Sequence, residues 1–301
     1  MFDAMTQTFV TLISEGRAYL FLLPIYTVLL AGERIACAMA DRGAYDDRDA
    51  AANISITAFY FGINLVVGHI VPLAAMALIF SELSLFTLDQ SVWGWLAAFI
   101  LYDLAWYTDH RVAHSVGFFW AMHHIHHSSE SYNMTVASRG FVGDITLLSR
   151  PTFFLLPVLG VSPTHFMVIL IVTNILGIAQ HTRLVGRLGP LDLVFATPSA
   201  HRVHHGSDAK YLDKNYGEIL LVWDHLFGSY QREEEEPTYG VVKQIGTSNP
   251  ILIELAGFKW LAEKIRGAEG WRDKLRCLYK PPNWEPAGQQ PPAAAVTAPR
   301  V

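Results

Sequence analysis

Cysteines and the motifs of organic redox cofactors are scarce or absent in this chain. The two cysteines among its 301 residues, Cys37 and Cys277, lie far apart, which excludes a disulfide framework and a cysteine metal site. No G-x-G-x-x-G segment follows a predicted strand, and no C-x-x-C-H segment occurs, so the sequence shows no sign of bound nicotinamide, flavin or haem. No basic stripe of the kind that binds nucleic acid is present. Any redox chemistry would therefore draw its electrons from outside the chain.

Charged residues are scarce as well. Asp, Glu, Lys and Arg make up 16% of the chain, against about 25% in soluble domains, and the mean hydropathy is +0.26. This deficit indicates a membrane protein. The N-terminus lacks a charged segment followed by an apolar core and a cleavage site, so we expect no removable signal peptide.

Four apolar regions stand out, at residues 19–40, 54–85, 92–107 and 145–180. The second is long enough to span a bilayer with tilt, and Pro72 predicts a kink in it. The fourth is interrupted at residues 160–163 into two short halves, which predicts a tight helical hairpin in the membrane.

These regions predict an all-α fold, an integral-membrane helical bundle under a histidine-rich helical cap. Residues 1–90 are assigned to N-terminal transmembrane helices and 91–232 to a catalytic domain that includes the membrane hairpin 145–180. A peripheral region follows at 233–280 and a disordered Pro/Ala-rich tail at 281–301. Within the peripheral region, residues 251–265 predict an amphipathic helix, either on the membrane surface or packed in the core.

Histidines dominate the remaining polar sequence. Nine of the thirteen lie in three clusters, at spacings i, i+3 and i+4 that place their rings on one helix face, and His181 stands between the second and third cluster. Imidazole suits iron, zinc, copper and nickel. Since one ion takes about four to six ligands, this number of histidines predicts two metal ions at one di-metal site. The clustered residues are His110, His114, His123, His124, His126, His127, His201, His204 and His205.

The clusters can meet only if they lie on one side of the bilayer. Fifteen of the 22 Lys and Arg residues lie from Arg183 onward, which favours the cytoplasm for the histidine side. The source membrane is predicted to be a bacterial inner membrane or the endoplasmic reticulum.

The number of histidines favours redox chemistry over hydrolysis. Hydrolytic zinc sites usually need three protein ligands and a water molecule. Insertion of oxygen into an unactivated C–H bond requires an oxidant made from O2, and two irons can share the electrons of O2 cleavage.

The order of these motifs resembles that of the fatty acid hydroxylase / sterol desaturase superfamily of integral-membrane di-iron oxygenases. The similarity runs from about residue 101 to 230. It is closest to the alkylglycerol monooxygenase-like branch in the segments WAMHHIHHSSESYN, ATPSAHRVHHGSD, DKNYG and WDHLFGSY. The resemblance implies nine metal ligands, namely His110, His114, His123, His126, His127, His181, His201, His204 and His205.

Four further residues are assigned to the site. Glu130 matches an acidic position of that branch, which implies that it orients a ligand or binds the reductant. Arg139 lies in the stretch 137–140, near the substrate or reductant region, and is assigned to cofactor binding. Asn215 and Asp224 are assigned to the catalytic set, Asn215 as a brace of the third cluster and Asp224 as an orienting carboxylate.

The predicted function is that of a membrane-bound non-haem di-iron monooxygenase. It would hydroxylate a lipid, with a fatty acyl, ether-lipid or sterol-like chain, using O2 and external electrons. A separate reductase or electron carrier is expected as partner, with tetrahydrobiopterin or an electron-transfer protein as reductant. The alternatives are a desaturase on the same site and a zinc-bound membrane protein without redox chemistry. The oligomeric state is left open.

Overall fold

The computed structural model describes residues 22–40, 43–67 and 70–286. Within these ranges the protein is all-α, as predicted, and its only strand-like pairings are two isolated bridges, Phe195 with Leu220 and Gly206 with Tyr239. The α-helices of the described ranges are α1 (Leu22–Met39), α2 (Asp47–Val67), α3 (Ile70–Leu83), α4 (Val92–Ser115), α5 (Gly117–His127), α6 (Pro163–Gln180), α7 (Pro198–His204), α8 (Val222–Phe227), α9 (Pro250–Gly267) and α10 (Trp271–Tyr279).

Within the apolar region 54–85 the structure describes α2 up to Val67 and α3 from Ile70 onward. Residues 68–69, between these two helices, lie outside the described part of the chain. The kink at Pro72 therefore stays a prediction.

The region 145–180 is not a pair of α-helices. Its first half consists of short 3-10 turns at Val142–Thr146 and Pro151–Leu155, and only its second half, α6, is an α-helix. Pro151 and Pro157 remove two backbone donors from the first half, which explains why no α-helix forms there. Gly160, with a φ of 77°, turns the chain back toward α6.

The core surrounds α4. Tyr102 of this helix stacks on Phe153 of the 3-10 segment and packs against Phe166 of α6. On its other side α4 continues into α5, which packs against α9. A Cβ atom at Gly257 of α9 would lie 1.9 Å from the carbonyl oxygen of Ala121, so the glycine allows the close approach of these two helices.

Two helices of the described ranges are long and apolar enough to cross a membrane, α1 and α6. The side chains of α1 are mostly exposed, whereas nearly half of α6 is buried in the protein. Exposed apolar surface of this extent in α1 fits membrane association.

The C-terminal helices close the fold. Ile253, Gly257 and Leu261 bury one face of α9 against α5, whereas Ile251, Leu252 and Leu255 are exposed. Residues 281–286 also pack, since Lys264 Nζ donates to the carbonyl oxygen of Pro282 at 2.6 Å. This packing differs from the predicted disorder from residue 281 onward; residues 287–301 lie outside the described part of the chain.

Candidate metal centre

Nine histidines form two adjacent groups in the cap. In each group the potential ligand nitrogens all lie within 4.8 Å of one another. These are the nine predicted ligands, and the structure brings them all together. The five-histidine group contains His110, His114, His123, His127 and His204, and the four-histidine group contains His126, His181, His201 and His205.

Each H-x-x-H-H motif is shared between the two groups. On α5, His123 and His127 belong to the five-histidine group and His126 to the other. On α7 and the residue after it, His204 belongs to the five-histidine group, whereas His201 and His205 belong to the four-histidine group. Each motif therefore contributes to both groups.

In four of the candidate ligands, the Nδ1 atom of the imidazole is hydrogen-bonded to a backbone carbonyl oxygen. A carbonyl oxygen only accepts, so each of these Nδ1 atoms carries the proton and leaves Nε2 with a free lone pair. Oriented imidazoles of this kind are typical of metal sites. The pairs are His110 with Tyr216 at 2.8 Å, His126 with Arg139 at 3.2 Å, His181 with Gly177 at 2.7 Å and His204 with Lys214 at 2.9 Å.

The free lone pairs face one another. The Nε2 atoms of His126 and His181 lie 3.4 Å apart although neither carries a proton, and His201 Nε2 lies 3.0 Å from His181 Nε2. The buried Nε2 atoms of His204 and His205 have no hydrogen-bond partner among the described residues. Because facing acceptors repel each other, the donor set fits a cation in each group.

Burial keeps these imidazoles neutral. Desolvation is the largest cause that lowers the pKa of His126, His201, His204 and His205 below its ordinary value, and neighbouring histidines add to it. The neutral imidazole is the form that binds a metal ion.

Asp224 shapes the loop that holds His110. Its buried carboxylate accepts from the backbone N–H groups of Tyr216 and Gly217, both at 2.8 Å, and from the hydroxyl of Ser229 at 2.7 Å. Tyr216 in turn receives the Nδ1–H of His110. The predicted orienting carboxylate therefore contacts the backbone around a histidine and not an imidazole itself.

Asn215 links the same loop to α7. Its side-chain amide donates to the carbonyl oxygens of Ala200 and Gln231 at 3.0 and 2.8 Å, and its oxygen accepts from the backbone of Gln231 at 2.8 Å. Its φ is 54°, a left-handed conformation that asparagine tolerates better than most residues. The neighbouring Lys214 supplies the carbonyl oxygen for His204.

Arg139 and Glu130 occupy contrasting positions. The guanidinium of Arg139 is buried and donates to Asp49 at 2.7 Å, Asn53 at 2.8 Å and Ser128 at 2.8 Å, while its backbone oxygen receives His126. Glu130 is exposed, and it is not among the residues that line the cavity described below.

The other described histidines, His124, His165 and His225, lie outside the two groups, and His69 lies outside the described part of the chain. His124 is buried beside Trp120, with ring centres 5.6 Å apart. His225 stacks on Tyr230 at 4.1 Å and its Nε2 lies 2.9 Å from the carbonyl oxygen of Leu193.

A cavity of about 290 Å³ opens onto both groups. It extends along α6 from His181 to Met167, which corresponds to about 21 Å at 1.5 Å per residue. A Cβ atom at Gly140 or Gly177 would meet nothing within 4 Å, so these two glycines keep the cavity wide beside the four-histidine group. The cavity touches both groups through His110, His123, His126, His181 and His201.

The cavity wall combines polar and apolar side chains. It includes Gln180, Glu218 and Asn174 as well as Leu22, Phe61 and other apolar residues. Sequence reasoning overlooked Glu218, although it directly follows the NYG segment. Its carboxyl is buried, and its Oε2 atom has no hydrogen-bond partner among the described residues.

Comparison with known proteins agrees with this geometry. A model of the fatty acid hydroxylase family matches residues 95–229, the part that carries every histidine of the two groups. The chain is 37% identical over 198 residues to alkylglycerol monooxygenase of Danio rerio, covering 65% of this chain and 44% of that protein. It is 34% identical over 217 residues to the Homo sapiens alkylglycerol monooxygenase, covering 72% and 48% respectively.

A bacterial relative is also similar. Ornithine lipid hydroxylase OlsE of Rhizobium tropici is 34% identical over 133 residues, which cover 44% of this chain and 40% of that protein. The chain thus spans about half the length, or less, of the curated relatives it matches. No solved structure matches the chain.

Proposed function

The chain belongs to the fatty acid hydroxylase superfamily, and from this premise we propose that it is a membrane-bound non-haem di-iron monooxygenase that hydroxylates a lipid. The proposal depends above all on one observation: two adjacent histidine groups open onto the same elongated cavity. Such a cavity can bring an alkyl chain to both groups at once.

The donor set supports two irons. Nine neutral imidazoles exceed what a hydrolytic zinc site needs, and imidazole is a good ligand for iron. A pair of iron ions bound there would supply the reductive activation of O2 that hydroxylation of a C–H bond requires. The electrons would come from an external donor, either tetrahydrobiopterin or an electron-transfer protein with its reductase.

The cavity wall orients the lipid. Its apolar side chains, among them Leu22 of α1, suit a hydrocarbon chain, whereas Gln180, directly before His181, and Glu218 offer polar groups. We infer that the polar part of the lipid lies at the histidine end and that the hydrocarbon tail extends toward α1 and the membrane. The buried walls exclude bulk water from the reacting carbon.

The four further predicted residues receive distinct roles. Asp224 and Asn215 act as positioning residues for His110 and His204 through the loop backbone. Arg139 positions His126 through its own carbonyl oxygen, since its guanidinium is committed to internal partners. Glu130, being exposed, is proposed to contact the external reductant.

The membrane arrangement is part of the same proposal. We infer that α1 and α6 cross the membrane together with other helices and that the histidine groups face the cytoplasm. The excess of Lys and Arg from residue 183 onward supports this orientation.

The test compares metal content with lipid products. Protein purified after growth on labelled iron should contain two irons per chain with a coupled Mössbauer signal. Cells that express it in the presence of O2 should contain lipids heavier by one oxygen, and cells that express His126→Ala should not. A loss of two hydrogens instead would identify a desaturase, and zinc without iron uptake would refute the oxygenase proposal.

A further inference from the structure

Helix α10 presents an exposed apolar stripe. Trp271, Leu275 and Tyr279 are 71%, 51% and 52% exposed, and their spacing of four residues places them on one side of the helix. The opposite side carries Cys277, which is buried against the rest of the protein. Nothing in the described part of the chain covers the stripe.

Cations border this stripe on both edges. Viewed along the helix axis, where successive residues are about 100° apart, Lys274 lies on one side of Leu275 and Arg276 on the other. In the same view, Arg272 falls between the directions of Leu275 and Arg276. All three are exposed, and Arg276 also pairs with Asp273 at 2.8 Å. An apolar stripe with aromatic residues and cationic edges is typical of a helix that lies in a membrane interface, where long basic side chains reach up to the headgroups.

Helix α10 is attached to the junction of α4 and α5. The N–H of Gly117, at the junction of α4 and α5, donates to the carbonyl oxygen of Lys280 at 3.0 Å. A Cβ atom at Gly117 would lie 2.2 Å from the carbonyl oxygen of Cys277, so α10 is held closely against this junction.

We propose that α10 lies on the cytoplasmic membrane surface, with the stripe of Trp271, Leu275 and Tyr279 in the acyl-chain boundary and its cations on anionic lipid headgroups. The inference depends on the proposed membrane orientation, but not on iron or on turnover. For residues 251–265 the sequence left a membrane-surface and a core position open; the structure packs the inner face of α9 against α5 and leaves Ile251, Leu252 and Leu255 exposed. Since α5 carries His123, His126 and His127, α10 would connect the headgroup layer to the metal centre.

The test measures how close α10 lies to lipid. Leu275→Cys, labelled with an environment-sensitive fluorophore, is reconstituted in nanodiscs whose lipids carry a nitroxide near the headgroup end of the acyl chain. The native cysteines, Cys37 and Cys277, are both buried. The matched control is Glu235→Cys, since this residue is 74% exposed and lies in an acidic run that an anionic surface repels. Tyr279→Cys provides a second position on the stripe.

We expect the nitroxide to quench the label at 275 at least about twofold more than the label at 235, with emission shifted to the blue at 275. In nanodiscs with about 30% anionic lipid, the double variant Arg272→Glu/Lys274→Glu should reduce this quenching. Equal quenching at 275 and 235 would overturn the proposal. So would a label at 275 that is shielded from aqueous iodide but not quenched by lipid, because a protein partner or a second copy would then cover the stripe.

The outcome is independent of the proposed function. Quenching at 275 in protein that has no hydroxylase activity would support the position of α10 and count against the oxygenase alone. Hydroxylase activity without quenching at 275 would support the oxygenase proposal and count against the position of α10. The metal content of each variant shows whether its cap has folded.

Discussion

Replacement of Asp224 by asparagine should loosen one histidine group and spare the other. The carboxylate accepts from two backbone N–H groups and one hydroxyl. Asparagine offers one oxygen and one NH2 group, so at least one of these buried donors loses its acceptor. A buried donor without a partner costs about 1–3 kcal/mol, and the free energy of unfolding should fall by that amount.

The larger effect falls on the metal. Asp224 fixes Tyr216, whose carbonyl oxygen holds His110 Nδ1 at 2.8 Å. Loss of a group bonded directly to a ligand imidazole typically lowers metal affinity about 10–100-fold, and this range is an upper bound for Asp224, which acts through the backbone of Tyr216. The four-histidine group depends on the carbonyl oxygens of Arg139 and Gly177 instead, so its metal should remain bound.

The assay is chelator titration followed by measurement of metal per chain. We expect the Asp224→Asn protein to lose one of its two metal ions at chelator concentrations at which the unmodified protein retains both. Asp208→Asn is the control, since Asp208 also accepts a backbone N–H, that of Thr238 at 2.7 Å, but outside the loop that holds His110. Simultaneous loss of both metals, or retention of both, would refute the argument that separate carbonyls support the two groups.

Three further changes test other parts of the structure. His181→Ala should remove the metal of the four-histidine group and leave about one metal per chain in the other; retention of two would contradict the partition of ligands. A Cβ atom at Gly177 meets nothing within 4 Å, so the side chain of Gly177→Leu should extend into the cavity without disturbing the fold. It should abolish lipid hydroxylation while the thermal midpoint and metal content stay unchanged. Normal turnover would mean that the lipid does not bind in this cavity. Burial raises the pKa of Glu254 from 4.5 to about 7, so its contribution to stability is complete below pH 4.5 and is lost as the pH rises through 7. Glu254→Gln should reduce the dependence of the thermal midpoint on pH across this range. An unchanged dependence on pH would exclude Glu254 as its cause.

Predictions from residue spacing within one segment agree with the structure, and those that depend on contacts between distant segments do not follow from such spacing. The histidine spacing predicted helical presentation of the ligands, because residues three and four apart share a helix face whatever the surroundings. The helix predicted at 251–265 is present as α9, but its burial against α5 depends on Gly257 meeting Ala121 across the fold. The hairpin at 145–180 was predicted from hydropathy and from the interruption at 160–163, and neither takes account of Pro151 and Pro157, which disfavour an α-helix in the first half.

The sequence by itself determined the candidate donors, nine imidazoles of which eight lie at helical spacings, and from them it predicted a di-metal centre in an apolar chain. Only the tertiary structure decided how His123, His126 and His127 divide between two groups. It also decided that the carbonyl of Tyr216 orients His110 across 106 residues. Spacing along a helix fixes the direction of a side chain relative to its own axis. The partner it meets depends on how distant segments pack, and that packing follows from the whole core and not from any single motif.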